Sequence, residues 1–259
     1  MNSSRNGTHG ILELLLRAVS LDPSSVPSEA EVQGEKNRWN PSNALTALRR
    51  EFPDFDSVIA GKRVMDFGCG DGFQSCALAR SGAAYVLGVD IQEERLARAR
   101  SRAHDFTNLE FAANPPRNAF DVAISLDAFE HFSEPDRVLA QMASAVKPGG
   151  VLLITFGPPW YAPYGGHMAF FTRLPWVHLI FPEQTVFEVR KLYRDDSMRS
   201  YSPGMNKMSV GRFERTVRTS GLAVERRRYH AVKGLFMLSK LPALRELFIN
   251  QITCVLRKP

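Results

Sequence analysis

From residue 62 onward, short apolar runs alternate with helical ones, and that alternation constrains the fold more than any other feature of the sequence. Arg63 to Phe67 (RVMDF) reads as a buried strand ending in the glycine-rich turn Gly68 to Gly72. Phe73 to Arg80 reads as a helix stopped at Gly82, where glycine most easily takes the left-handed backbone that ends a helix. Tyr85 to Val89 is the second strand, followed by a helix over Glu93 to Ala103. Leu109 to Ala112 and Asp121 to Ser125 are the third and fourth strands. A helix over Pro135 to Val146, a turn at Pro148-Gly149-Gly150 and a fifth strand over Val151 to Phe156 follow. Strands alternating with helices of this length imply right-handed crossovers and a parallel sheet covered on both faces.

The regularity breaks over residues 157–208, which are rich in proline and aromatic side chains and too long for an ordinary connection. A lid or a substrate wall is expected there. Order returns with a helix over Val210 to Thr219, a strand over Leu222 to Tyr229, a short helical passage over Leu235 to Leu247 and a last strand over Ile249 to Leu256. The expectation is a Rossmann-like, doubly wound α/β fold: a mostly parallel seven-stranded sheet, helices on both faces, and an aromatic-rich insertion after the fifth strand. Residues 1–38 are expected to be a partly mobile N-terminal segment, with Ile11 to Val19 an amphipathic helix, and residues 39–259 the domain proper.

Composition excludes other classes. Hydrophobic residues at 44% and charged residues at 23% are ordinary globular values, so a fibrous or wholly disordered chain is ruled out. The longest stretch without charge, Pro148 to Thr172, holds too many prolines and glycines for a membrane-spanning helix. Cys69, Cys76 and Cys254 show no paired metal spacing, which fits a cytoplasmic protein without disulfides or a bound metal. Residues 190–259 hold 16 Lys and Arg against 5 Asp and Glu, a balance of +11 in a chain of net charge +6. Only Arg226-Arg227-Arg228 is a tight run and no aromatic platform is interleaved with it, so solvated surface arginines are expected and nucleic acid is not.

In a doubly wound sheet, ligands bind beyond the carboxyl ends of the strands where the strand order reverses, and the Gly68 to Gly72 turn lies there. Asp90 ends the second strand 20 residues beyond Gly70, the distance at which a carboxylate accepts both hydroxyl hydrogens of a ribose. A plain strand-to-helix turn and, for Asp90, a helix cap paired with Glu93 are the structural alternatives. A dinucleotide site wants G-x-G-x-x-G. Position 73 is phenylalanine and position 75 serine, so a nucleoside without a pyrophosphate is the better match.

The run D-F-G-C-G-D-G at 66–72 resembles the first motif of class I S-adenosylmethionine-dependent methyltransferases. Asp90, the segment DVAISLDAFEHF at 121–132 and LAQMASAVKPGGVLLITF at 139–156 resemble its successors in order, closest to the small-molecule branch called type 11. The resemblance implies S-adenosyl-L-methionine as cofactor. Gly68 and Gly70 would lie along its methionine part, Asp66 would orient the loop or the ammonium, Asp90 would hold the ribose and Ile91 would pack on the adenine. Leu126 would stand on the cofactor side of the fourth strand. Where the family carries an acidic residue after the third strand, this chain has Asn114, whose carbonyl oxygen would take the adenine amine. Asn114-Pro115-Pro116-Arg117 imitates a base-methylating motif but precedes the fourth strand and lacks the terminal aromatic, which argues against a nucleobase acceptor.

Methyl transfer needs an aligned acceptor and, for a hydroxyl, a base. Trp160, Tyr161, Tyr164 and Phe170 are candidate acceptor contacts, or else the packing of the insertion. His167 on its Gly-Gly turn is the candidate base, with a backbone-bonded loop histidine as the alternative, and His131 is a second candidate on the cofactor side. Trp39 and Asn40 would close over the cofactor. The implied function is methylation of a small apolar or aromatic metabolite, chiefly on oxygen. Transfer to nitrogen or carbon, and a lipid-like acceptor reached from an anionic membrane surface, are the alternatives; a cofactor-binding module without catalysis is the non-enzymatic one.

Overall fold

A computed structural model describes residues 3–28, 45–194, 196–202 and 204–259, with residues 3–9 described by their backbone alone. Trp39 and Asn40 lie outside the described residues. The strands are β1 (Arg63–Phe67), β2 (Tyr85–Val89), β3 (Leu109–Ala112), β4 (Phe120–Leu126), β5 (Val146–Phe156), β6 (Ala223–Ala231) and β7 (Ile249–Arg257). They form one seven-stranded sheet in the order β3-β2-β1-β4-β5-β7-β6. β1 runs parallel to β2 and β4, β2 to β3, and β4 to β5, while β7 is antiparallel to β5 with Val151 opposite Arg257. The order reverses between β1 and β4, which makes their carboxyl ends the ligand-binding edge of such a sheet.

The expected elements recur with small shifts, and one differs in kind. Pro148-Gly149-Gly150 does not separate helix from strand; β5 begins at Val146 and carries these residues as an irregularity, Phe120 facing Val146 and Val122 facing Val151. Hydrogen bonds hold the excursion in the ladder. Gly149 N–H donates to the Lys258 carbonyl at 2.9 Å, Lys258 N–H to that of Gly150 at 3.0 Å, and the Lys147 ammonium reaches Asp121 at 2.7 Å. The helical passage near the C-terminus is two short helices, Phe236–Ser239 and Arg245–Phe248, separated around Pro242, which cannot continue a helix.

The chain forms two compact units. One spans 39–156, 212–230 and 252–259, the other 1–38, 157–211 and 231–251. The first has its core where Leu48, Phe52 and Phe55 of the helices Thr46–Glu51 and Phe55–Ile59 meet Val64, Val86 and Ile124 of the sheet. The second is built around Leu16, Trp160, Phe171, Phe187 and Tyr201. Burying each such aromatic side chain contributes roughly 1.5–3 kcal/mol. The helix Ser3–Ala18 supplies Leu16 to that core, and Leu21 N–H donates to the Phe171 carbonyl at 2.7 Å, which ties Leu16 and Leu21 to the second unit.

Candidate active site

The loop after β1 is shaped by three left-handed glycines, Gly68 (φ 81°), Gly70 (φ 54°) and Gly72 (φ 82°). A β-carbon on Gly68 would stand 3.2 Å from Ala128, and one on Gly72 only 2.7 Å from the Phe111 ring. Loop and sheet are tied together tightly. Gly68 and Cys69 N–H donate to the Val89 carbonyl at 2.8 and 3.0 Å, Gly70 N–H to Asp90 Oδ2 at 2.9 Å, and Gly72 N–H to the Cys69 carbonyl at 3.0 Å. Four amides that a phosphate cradle would aim at its ligand are thus committed inside the protein, the structural reason that this loop suits a nucleoside and not a pyrophosphate.

Asp90 is the hinge of this arrangement. Its Oδ2 takes the Gly70 amide and its Oδ1 the Gln92 amide, each at 2.9 Å. A carboxylate offers about four lone-pair sites, so both oxygens retain acceptor capacity for a diol. The expected capping box with Glu93 does not form: the helix Glu93–Arg102 is capped at Gln92 without a side-chain bond, and Asp90 makes a local turn to the amide two residues on. Beside it Ile91 is 86% exposed, an apolar side chain held in solvent at the place where an adenine face would cover it.

Asp66 is fully buried and its carboxylate serves the next helix, Phe73–Arg80, accepting from Gln74 Nε2 at 2.8 Å and Ser75 Oγ at 2.6 Å. Burial outweighs these bonds and lifts its pKa to about 6. Asn114, exposed past the end of β3, accepts from Gln141 Nε2 at 3.4 Å, and Leu126 ends β4 half-buried. The structure therefore brings Gly68, Gly70, Asp90, Ile91, Asn114 and Leu126 to the carboxyl edge of four adjacent strands, with Asp66 beneath them.

Sequence reasoning missed Asp127. It follows β4 directly, is exposed, and holds a left-handed φ of 46°, uncommon without glycine and concentrated at functional sites. Thr155 Oγ1 donates to its Oδ1 at 2.9 Å, and its own N–H donates to the Thr155 carbonyl at 3.0 Å. The neighbouring Ala128 is the residue that packs on Gly68, which sets Asp127 beside the cofactor loop. An acidic residue immediately after an apolar parallel strand was the available signal. His131 is exposed on the short turn Phe129–His131.

In the second unit, Trp160 is 9% exposed and packs edge-on against His178 (4.8 Å between ring centres) and Tyr201 (5.0 Å), a core position. Tyr161 and Tyr164 are exposed, and Phe170 is half-buried with the Arg194 guanidinium 4.4 Å above its ring. His167 is half-buried with φ 57°, its N–H donating to the Tyr164 carbonyl at 2.9 Å. The glycines before it are demanded by packing: a β-carbon on Gly165 would fall 2.2 Å from the Trp160 carbonyl oxygen, and one on Gly166 2.6 Å from His178. His178, buried with Nε2 2.5 Å from the same carbonyl, has its pKa lowered by desolvation, against which the bond to that carbonyl works.

Strand order, the committed glycine loop and the carboxylate ending β2 define the fold of class I S-adenosylmethionine-dependent methyltransferases, and this chain has it. A family model described as "Methyltransferase domain" matches residues 65–154. The ubiquinone biosynthesis O-methyltransferase of Hahella chejuensis is 34% identical over 128 residues, 46% of this chain and 53% of that protein. The chain spans about half the length of the curated relatives it matches. Among solved structures, an S-adenosylmethionine-dependent methyltransferase from Mesorhizobium loti aligns with a TM-score of 0.55 at 24% identity, over 83% of this chain and 98% of that one. A [4+2]-cyclase aligns with a TM-score of 0.52 at 17% identity, over 80% and 79%.

Proposed function

We propose that this protein binds S-adenosyl-L-methionine and transfers its methyl group to a hydroxyl of a small apolar or aromatic molecule. The observation that carries the proposal is the Gly70–Asp90 bond: one carboxylate fixes the glycine loop and keeps acceptor capacity at the end of β2, with Ile91 exposed beside it. Left-handed Gly68 and Gly70 give backbone access that a side chain would deny. When bound, the cofactor supplies an electrophilic methyl carbon on a sulfonium. Asp90 holds the ribose diol, Ile91 covers one adenine face, and Asn114 accepts from the adenine amine.

On the acceptor side, Asp127 aligns the hydroxyl and takes its proton. Its support is exposure, the clasp from Thr155 and the contact of its neighbour with Gly68. The similarity to enzymes named for ubiquinone biosynthesis O-methylation favours oxygen over nitrogen and a hydroxylated aromatic acceptor. One other reading is a cofactor-binding module without methyl transfer, since function resides in the site rather than the fold and a [4+2]-cyclase shares this fold.

The test is the release of S-adenosylhomocysteine by the purified protein across a panel of phenols. Turnover that falls about 10²–10⁴-fold in Asp127→Asn, with cofactor affinity retained, supports the assignment. Binding without turnover on any hydroxyl leaves the non-catalytic reading. His167 is examined in the same assay. A His167→Ala rate within about threefold of the parent across the pH profile assigns it a packing role, and a loss of the order expected of a base transfers the proton to it.

A further inference from the structure

The segment between β6 and β7 belongs to neither the sheet nor the cofactor loop, and its surface is unusual. Phe236, Met237 and Leu241 are 57%, 71% and 50% exposed. Lys233 and Lys240 are exposed among them, with the Lys240 ammonium 4.4 Å above the Phe236 ring. From Arg226 to the C-terminus the sequence has one acidic residue, Glu246, and its two carboxylate oxygens are turned inward onto the amides of Val210 and Gly211 at 2.9 and 2.8 Å. The result is an apolar tip with two exposed lysines, and the segment's single carboxylate is bonded to amides elsewhere.

Much of the tip's backbone is hydrogen-bonded within the segment. Leu235 N–H donates to Val232, Leu238 and Ser239 to Leu235, Leu241 to Leu238, and Leu244 to Leu241, while Val232 N–H donates to the Phe248 carbonyl at 2.9 Å and closes the base. Main chain entering a lipid interface is best placed to carry its own hydrogen bonds, and residues 238–241 do so. Cores of protein interfaces are depleted in lysine, whereas lysine beside apolar side chains suits a bilayer boundary, with the stem along the acyl region and the ammonium at the headgroups. Among the described residues no helix is long and apolar enough to cross a membrane.

We propose that residues 233–241 dock this protein on an anionic lipid surface, Phe236, Met237 and Leu241 entering the interface and Lys233 and Lys240 meeting the headgroups. The inference does not rest on methyl transfer, because docking is read without turnover. The experiment is co-sedimentation of the full chain with phosphatidylcholine vesicles containing phosphatidylglycerol, against phosphatidylcholine alone. Binding to the anionic vesicles is expected to be on the order of tenfold stronger and to fall as salt rises. Phe236→Ser with Met237→Ser, and separately Lys233→Glu with Lys240→Glu, should each lower it by about tenfold or more. Met237→Ser alone is the milder variant if the double change disturbs folding. Melting temperature and S-adenosylhomocysteine affinity should match the parent, as these side chains are exposed and outside the cofactor residues. No sedimentation on anionic vesicles, equal binding to uncharged ones, or variants that bind like the parent would overturn the proposal. So would self-association abolished by the same substitutions, which would assign the tip to a second copy of the chain.

Discussion

At the scale of single residues, the account turns on two aspartates in opposite circumstances. Asp66 is buried and its pKa stands at about 6, above the ordinary 3.8. The folded protein therefore holds this proton more firmly than the unfolded chain, so the contribution to stability is complete below about pH 4 and is lost as pH rises through 6. Two units correspond to about 3 kcal/mol at most. Chemical denaturation of the parent and Asp66→Asn between pH 4 and 7 should show the parent losing stability relative to the variant as pH rises; parallel curves would mean that Asp66 is ionised throughout. Asp90 instead is half-buried, with one backbone amide on each oxygen. Asp127 carried only a weak signal, an acidic residue directly after an apolar strand; its distinguishing feature, a left-handed backbone clasped by Thr155, arises only when β4 and β5 pair.

At the scale of elements, the glycine loop is held from below as well as tied from the side. The Phe111 ring of β3 lies where β-carbons on Gly72 and Gly88 would fall, at 2.7 and 2.4 Å, so one aromatic ring sets the identity of two glycines in other elements. Gly72→Ala combines that overlap with a positive φ and should destabilise by about 2–3 kcal/mol in thermal unfolding; a change under about 0.5 kcal/mol would show that the loop relaxes freely. The order and kind of strands and long helices from Arg63 through Phe156 were readable because most buried strands are apolar runs bounded by turn residues, whereas the helices Thr46–Glu51 and Phe55–Ile59 were not expected. The start of β5 was not. Pro148-Gly149-Gly150 has turn chemistry, and only the partners at Lys258 and Asp121, far away in sequence, keep it in the ladder. Likewise Gly165-Gly166 read as a glycine-rich turn presenting His167, whereas the fold uses both glycines to pass Trp160 and His178 closely.

At the scale of the whole molecule, one unit carries the carboxyl edge of β1, β2, β3 and β4, and the other an aromatic core and an exposed apolar tip with two lysines. The cofactor edge was legible in the sequence because its residues follow strand ends at fixed spacings, a consequence of parallel crossovers. The aromatic insertion was legible only as composition: Trp160 faces the core and Tyr161 the solvent, a distinction that adjacent letters do not carry. The central claim is that the edge binds a nucleoside cofactor through Asp90, and calorimetric titration with S-adenosylhomocysteine tests it most directly. The parent should bind one equivalent per chain, and Asp90→Ala should lose about 1.5–3 kcal/mol, roughly 10–150-fold in affinity, with its fold intact. No binding by the parent, or the same affinity in Asp90→Ala, would contradict it.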